Sequence, residues 1–272
     1  MGMIVVGPFS FPVIPLLLVI GMLVSLVMAR RKGDLHGELE TAIYGVVIAA
    51  VLIARFAFVG LHWSLYRQSL TDIIDIRDGG FFPLLGMTAG VITTGLYLSH
   101  KPLLKRALLT CFFAGTGVAA LGGIMAWTMQ APVDMALPVA SFNDLDGKPV
   151  RLDRFLGKPV VVNLWATWCP PCRREMPMLM RAQASTPDAV FVFANQGEPA
   201  RTIRQYLSQA HIDIANVILD SRLDIARLAG SRALPTTLFF SKMGKLHSIR
   251  MGGLSAATLA EELGTLTGHV DP

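Results

Sequence analysis

The residues with the clearest chemical potential are two cysteines separated by two prolines, Cys169 and Cys172. The apolar, β-branched residues 160–164 precede them and predict a buried strand. Helix-forming residues follow at 173–184, so the pair lies where a strand gives way to a helix. The free amides and positive dipole end of a helix stabilise a thiolate, which is the reactive form of cysteine. This position therefore predicts thiol redox chemistry.

Two other uses of this cysteine pair fit the sequence less well. Zinc binding is disfavoured because the only other cysteine, Cys111, lies far upstream in an apolar segment, and no histidine pair follows at ligand spacing. We therefore expect no metal site. A purely structural disulfide is also disfavoured, since such bridges usually close longer loops than a two-residue spacer. Cys111 itself is interpreted as a small apolar residue in a helix.

Residues from about 136 to the end resemble the TlpA/DsbE-like membrane-tethered thiol-disulfide oxidoreductases, which have the thioredoxin fold. The motifs are Trp-Ala-Thr-Trp-Cys-Pro-Pro-Cys at 165–172, Glu175 followed by Met-Pro, and Ala-Leu-Pro-Thr-Thr at 233–237. The resemblance implies that Cys169 is the exposed nucleophile and Cys172 the resolving thiol. It also implies that their disulfide is the redox centre and that no further cofactor is needed.

The same resemblance assigns a substrate-binding role to three further residues, Trp168, Leu234 and Pro235. In this fold the peptide bond before the corresponding proline is cis, and the proline packs against the Cys-x-x-Cys motif. Its expected role is to keep the backbone of Leu234 accessible, so that a substrate strand can pair beside the site.

Glu175 is the acid that the resemblance places near the thiols. Thioredoxin has a buried Asp on the preceding strand, whereas this chain has Asn163 there. Glu175 follows Cys172 by three residues, which puts both side chains on one helix face. A partly buried carboxyl group there could take the proton from Cys172 as a general base. The alternative is an ordinary solvated glutamate in the first helical turn.

The composition indicates that part of the chain lies in lipid. It is 53% hydrophobic and only 16% charged, with a mean hydropathy of +0.52. Uncharged or nearly uncharged stretches predict four membrane-spanning helices, at 8–29, 41–60, 81–99 and 107–127. The net charge of +5 needs no nucleic-acid partner, because basic residues cluster beside these stretches.

The basic residues predict the orientation of the spans. Arg30, Arg31 and Lys32 follow the first stretch, and residues 100–106 form a second basic loop. Both loops are expected in the cytoplasm, which leaves both termini outside. We therefore predict a helical membrane domain at 1–130 and a periplasmic α/β thioredoxin-like domain at 131–272. The chain is expected in the bacterial inner membrane as a multi-pass protein.

Residues 55–86 show a weaker resemblance to prolipoprotein diacylglyceryl transferase. It rests on Ala-Arg-Phe at 54–56, Trp63 and Tyr66, and Ile-Arg-Asp-Gly-Gly-Phe at 76–81. The His-Gly-Gly segment of that family is absent, so transferase activity is not expected. Arg55 could face a partner or cavity, or it could snorkel to the headgroups or pair with an aspartate in the expected surface helix at 61–78.

The remaining pattern of the C-terminal half predicts a mixed sheet with helices on both faces. Strands are expected near 140, at 150–152, 189–194, 217–219, 236–240 and 246–251. Helices are expected at 200–210, 223–228 and 256–266, the last of them capped by Ser255. Pro177 should kink the helix that follows the cysteines without ending it.

These predictions describe a membrane-anchored protein disulfide reductase. Its partners would be protein disulfide substrates, the bilayer, and a separate membrane electron donor of the DsbD/CcdA type, because the membrane half has only one cysteine. The first alternative is a disulfide oxidase or isomerase of the same fold, which only the reduction potential would distinguish. The second is a lipid-handling or binding module that the redox domain regulates.

Overall fold

The computed structural model describes residues 3–6, 9–67, 73–74, 80–129, 135–231 and 233–267. The chain forms two compact units, one comprising 1–69 and 80–131 and the other 70–79 and 132–272. Because residues 130–134 lie outside the described ranges, the predicted boundary at 130 stays a prediction. Half of the surface helix expected at 61–78 also lies outside them.

The N-terminal unit is helical apart from a short hairpin. Its elements are β1 (Met3–Val6), β2 (Phe9–Pro12), α1 (Val13–Arg30), α2 (His36–Leu61), α3 (Trp63–Tyr66), α4 (Pro83–His100) and α5 (Lys105–Met129).

The first helix begins later than predicted. We expected it from residue 8, but β2 pairs antiparallel with β1 and the helix starts at Val13. A helix from residue 8 would hold Pro12 in its interior, where proline removes a hydrogen bond and clashes with the preceding turn. Phe9 and Phe11 also favour a strand.

Small residues allow the long helices to pack closely. A Cβ added at Gly86 of α4 would lie 2.9 Å from the backbone oxygen of Ala50 in α2. One added at Gly115 of α5 would lie 2.5 Å from the backbone oxygen of Gly21 in α1. Backbones this close leave no room for a side chain, as in other small-residue helix contacts.

Two small residues of α5, Gly115 and Ala119, contact α1. Gly123 does not, since an added Cβ there would meet nothing within 4 Å. Its neighbour Gly122 faces α1 instead and contacts Leu17. The helix repeat of 3.6 residues brings 115 and 122 almost to the same face.

Two helical stretches are long and apolar enough to cross a bilayer, His36–Leu61 and Pro102–Met125. Leu16–Arg30 is apolar but shorter. Large apolar side chains on these helices face outward, among them Phe56 at 60% and Leu121 at 69% exposure.

Arg55 is buried within the N-terminal unit, so it does not snorkel outward. Its Nη1 donates to the backbone oxygen of Gly80 at 2.7 Å, and its guanidinium lies over the rings of Tyr66 and Phe81. The alternative that Arg55 pairs with an aspartate at 72, 75 or 78 stays a prediction, because these positions lie outside the described residues. Cys111 is fully buried among apolar side chains, as predicted.

The C-terminal unit is a seven-stranded mixed sheet in the order β4-β3-β7-β6-β5-β8-β9. Its strands are β3 (Ser141–Asp144), β4 (Pro149–Arg151), β5 (Val160–Trp165), β6 (Val190–Gln196), β7 (Val217–Asp220), β8 (Thr236–Phe240) and β9 (Leu246–Met251). Its α-helices are α6 (Pro170–Ser185), α7 (Ala200–Gln209), α8 (Asp224–Leu228) and α9 (Ala256–Thr267). The α/β thioredoxin-like fold predicted for this half is therefore confirmed.

Strand β5 organises this sheet and leads directly to the cysteines. It runs parallel to β6 and antiparallel to β8, and all six of its residues are buried. Successive side chains point to opposite faces, so Val161 and Trp165 enter one core and Val162 and Leu164 the other. A core on each face fixes the register of the strand.

Helix α6 begins at Pro170, directly after the first cysteine, so the cysteine pair spans the first helical turn as predicted. Proline suits this first turn because its missing amide proton would have no helical partner there. The helix continues through Pro177, as predicted. Ser255 caps α9, and its hydroxyl accepts the amide of Thr258 at 3.2 Å.

Candidate redox site

Cys169 and Cys172 form a disulfide across the first turn of α6. Cys169 is the N-cap residue, and its sulfur accepts the backbone amide of Cys172 at 3.2 Å. A sulfur in this position receives the positive end of the helix and one of its free amides. Both effects stabilise a thiolate at Cys169 more than at Cys172.

The expectation that Cys169 is exposed does not hold for this disulfide form. Cys169 is 2% exposed and Cys172 is fully buried, and both belong to the apolar cluster between β5 and α6. The sulfur of Cys169 is bonded to Cys172 Sγ and accepts the Cys172 amide, so it faces the first turn of α6. Trp168, which directly precedes the first cysteine, is 66% exposed, so this part of the motif is accessible to a substrate.

The peptide bond between Leu234 and Pro235 is cis, as predicted. Pro235 is buried immediately before β8, the neighbour of β5. Leu234 is half-buried and packs against the apolar cluster that contains both cysteines. The role of this segment in binding substrate stays a prediction.

Glu175 is a buried carboxyl group rather than a solvated one. It is 5% exposed, and it accepts hydrogen bonds from Asn163 Nδ2 at 2.9 Å and from the amide of Leu254 at 3.1 Å. Burial raises the pKa of Glu175 to about 7, although both hydrogen bonds oppose the shift. The alternative of an ordinary first-turn glutamate is therefore wrong, and this group can exchange protons near neutral pH.

Asn163 links Glu175 to the neighbouring strand. Its Nδ2 also donates to Thr237 Oγ1 at 3.1 Å, and both residues are buried. Its Oδ1 is buried without a hydrogen-bond partner among the described residues. Asparagine offers both a donor and an acceptor here, so it can hydrogen-bond Glu175 in either protonation state.

A second carboxylate, Glu198, holds the segment before the cysteines, and the sequence analysis missed it. It accepts the amide of Thr167 at 2.7 Å and the Thr167 hydroxyl at 2.5 Å. It also accepts Asn195 Nδ2 at 2.8 Å, while Asn195 Oδ1 accepts the amide of Glu198. This network fixes the turn that leads into Trp168 and Cys169.

The sequence carries a signal for Glu198. This residue comes directly after the glycine that follows β6, and the carboxyl end of β6 lies beside the carboxyl end of β5, which leads to the cysteines. Polar residues at the carboxyl ends of adjacent parallel strands meet at one edge of a sheet.

Among the residues that the structure describes, no three His, Cys, Asp or Glu side chains are grouped to hold a metal ion.

Residues 130–249 match the model of the AhpC/TSA family. The thiol-disulfide oxidoreductase ResA of Halalkalibacterium halodurans is 28% identical over 120 residues, which cover 43% of this chain and 68% of ResA. ResA of Geobacillus thermodenitrificans is 24% identical over 166 residues, which cover 60% of this chain and 95% of that ResA. The solved structure of a thiol:disulfide interchange protein from Chlorobium tepidum TLS is 26% identical, with a TM-score of 0.44. The match covers 50% of this chain and 98% of that chain.

The two ResA relatives support a thiol-disulfide oxidoreductase of this type in the C-terminal half. The family match begins at residue 130. The resemblance of residues 55–86 to the diacylglyceryl transferases therefore stays a prediction.

Proposed function

We propose that this protein is a membrane-anchored, extracytoplasmic oxidoreductase that reduces disulfides in protein substrates. The observation that carries the proposal is the Cys169–Cys172 disulfide in the first turn of α6, with the buried Glu175 one turn further along the same helix. One thiol receives the helix dipole, and the other has a proton acceptor on its own helix face. Both features favour two-step disulfide exchange, the first by stabilising the attacking thiolate and the second by accepting a proton.

The first step joins Cys169 to the substrate. In the reduced protein, the Cys169 thiolate attacks one sulfur of the substrate disulfide and forms a mixed disulfide. The second substrate sulfur leaves as a thiolate and takes a proton from water. The amide of Cys172, which contacts Cys169 Sγ in the oxidised form, stabilises the attacking thiolate.

The second step releases the substrate. Cys172 gives its proton to the Glu175 carboxylate and attacks Cys169 Sγ, so the internal disulfide reforms and the remaining substrate sulfur leaves. Two electrons have then passed from the protein to the substrate. A carboxyl group whose pKa is about 7 can accept this proton and later return it to solvent.

Reducing power must then return to Cys169 and Cys172. A relay of thiols across the membrane needs a second cysteine beside Cys111, and the chain contains only three cysteines in all. We therefore propose a separate membrane reductant of the DsbD/CcdA type. No further cofactor is invoked.

The proposed anchor consists of α1, α2, α4 and α5 crossing the bacterial inner membrane. Lys101 forms an ion pair with Glu38 at 2.9 Å, so the connections α1–α2 and α4–α5 lie at the same end of the unit. Both carry the basic residues that favour the cytoplasmic side. This arrangement supports a C-terminal domain in the periplasm.

Reporter fusions test the orientation. An enzyme that is active only outside the cytoplasm should be active when fused after residue 129, and inactive when fused after Arg31. A cytoplasmic reporter that is active after residue 129 would overturn the orientation.

The reduction potential of Cys169 and Cys172 tests the direction of the reaction. Equilibration with glutathione should give a value near that of thioredoxin, about −270 mV. A value near about −120 mV would instead identify an oxidase of the same fold. Trapping of a mixed disulfide by the Cys172→Ser variant would identify the protein substrates.

A further inference from the structure

A shallow groove runs along the C-terminal unit beside the disulfide, between the first two turns of α6 and the end of α7. The groove residues are Pro170, Arg173, Arg174 and Pro177 from α6, with Tyr206 and Ile212 from the facing segment. Pro170 directly follows Cys169, so the groove begins at the redox centre. This surface has no part in the mechanism described above.

The floor of the groove is apolar and firmly supported. The ring of Tyr206 packs 5.8 Å from the ring of the fully buried Trp165, and Ile212 is 7% exposed. Two proline rings complete this floor.

The rim of the groove is positively charged. Arg173 and Arg174 are both exposed, and the guanidinium of Arg173 lies 5.7 Å from the centre of the Tyr206 ring. Within the described ranges neither arginine forms an ion pair. Five other arginines of this unit do pair with carboxylates, namely Arg151, Arg204, Arg222, Arg227 and Arg250. The two rim guanidiniums therefore remain available to carboxylates of a partner.

We propose that this groove binds the segment of a protein substrate that flanks its reactive cysteine, and that it favours segments carrying Asp or Glu. The proposal rests on the redox function proposed above. Because Pro170 directly follows Cys169, a substrate chain bonded to Cys169 can extend over Pro170 into the groove. Carboxylates within a few residues of that sulfur can then reach Arg173 and Arg174. Charge complementarity of this kind raises the association rate and selects among partners.

Two synthetic peptides test the preference on the full-length chain, reduced and solubilised in detergent. Both carry one cysteine bonded to thionitrobenzoate, and they differ only in having Glu or Lys on each side of it. Attack by Cys169 on the peptide sulfur releases the coloured thionitrobenzoate anion, and Cys172 then frees the peptide. Because the same thiolate attacks both peptides, the ratio of the two rates is independent of changes in the Cys169 pKa.

At low salt the Glu peptide should react about tenfold faster than the Lys peptide, since two exposed ion pairs contribute modestly. The ratio should fall toward one in about 1 M salt, which screens exposed charges. In Arg173→Glu/Arg174→Glu the preference should reverse. The matched control is Arg181→Glu, an exposed arginine of α6 outside the groove, and it should keep the wild-type ratio.

Neutral hydroxyethyl disulfide separates failure of the groove from failure of the redox function. A wild-type chain that reacts with it, and equally with both peptides at low salt, would overturn the groove proposal alone. The same conclusion would follow if Arg181→Glu lost the preference as fully as the rim variant. A chain that reacts with none of the three compounds would overturn the redox function and the groove together.

Discussion

The N-terminal unit exposes many more large apolar side chains than the C-terminal unit does. On the N-terminal helices, Phe56 is 60%, Val91 62% and Leu121 69% exposed. In the C-terminal unit, all six side chains of β5 are buried between two cores. An apolar exterior is what lipid would cover, whereas an apolar interior is stable in water.

The polar groups inside the two units differ as well. In the N-terminal unit, the Ser25 hydroxyl donates to the backbone oxygens of Gly21 and Cys111, and the helices approach through glycines. In the C-terminal unit, the buried Glu175 and Asn163 hydrogen-bond each other one helical turn from the cysteines. The first unit uses its polar groups for packing, while the second brings them to a site.

The largest expected effect is on the rate of disulfide exchange, and it should differ between the cysteines of the two units. Cys169→Ala should lower the rate of disulfide exchange by at least about a thousandfold, because the attacking nucleophile is lost. Cys111→Ala should leave that rate unchanged. Stopped-flow exchange with hydroxyethyl disulfide measures both rates. Equal losses in the two variants would contradict the division of roles between the units.

Helix packing in the N-terminal unit can be disturbed without touching the redox site. Gly115→Ala should lower the stability of this unit by about 3 kcal/mol, because the new methyl group meets the backbone of α1. Gly123→Ala is the matched control, since an added Cβ there meets nothing within 4 Å. Thermal unfolding in detergent, followed by circular dichroism, compares the two. Disulfide exchange by the folded variants should match wild type.

Glu175→Gln should leave the fold intact but slow the second exchange step about thirtyfold, since the proton acceptor is lost. Attack by Cys169 should change less. The rate of release should rise with pH through about 7 in wild type, where Glu175 ionises, and this rise should vanish in the variant. If the thiol pKa values and release rate both equal those of wild type, Glu175 has no role in the chemistry.

The same group makes stability depend on pH. Between its ordinary pKa of 4.5 and the folded value of about 7, Glu175 keeps its proton in the folded state and loses it when unfolded. The unfolded state then binds fewer protons, so the free energy of unfolding falls as pH rises through this window, by roughly 3 kcal/mol at most. Protease sensitivity of the C-terminal unit across this range measures the fall, which Glu175→Gln should remove.

The smallest effect concerns the turn before the cysteines. Glu198→Ala should cost about 1–2 kcal/mol of stability in the C-terminal unit, because three hydrogen bonds are lost. Glu198→Gln should stay close to wild type, since its oxygen can still accept the amide of Thr167 and its amide can donate to the hydroxyl. Denaturant unfolding compares them. A loss as large in the Gln variant would show that the charge matters more than the geometry.

The sequence by itself determined the order and type of most elements. The alternation of strands and helices fixed the α/β class of the C-terminal half, and the bounds of β8 and β9 were predicted without error. The cysteines could be assigned to the first turn of a helix because that inference needs only neighbours in the chain. Local patterns of this kind carry their own physical cause.

Tertiary structure decided what lies around those elements. Glu175 could be placed on the helix face of Cys172 from spacing, but its hydrogen bond from the amide of Leu254, 79 residues away, depends on the fold. Glu198 reaches Thr167 only because β5 and β6 are adjacent and parallel. Burial and hydrogen bonding between distant residues set the pKa of a carboxyl group, and no local pattern encodes them. The sequence therefore named the reacting sulfurs, while the fold determined which carboxyl groups surround them.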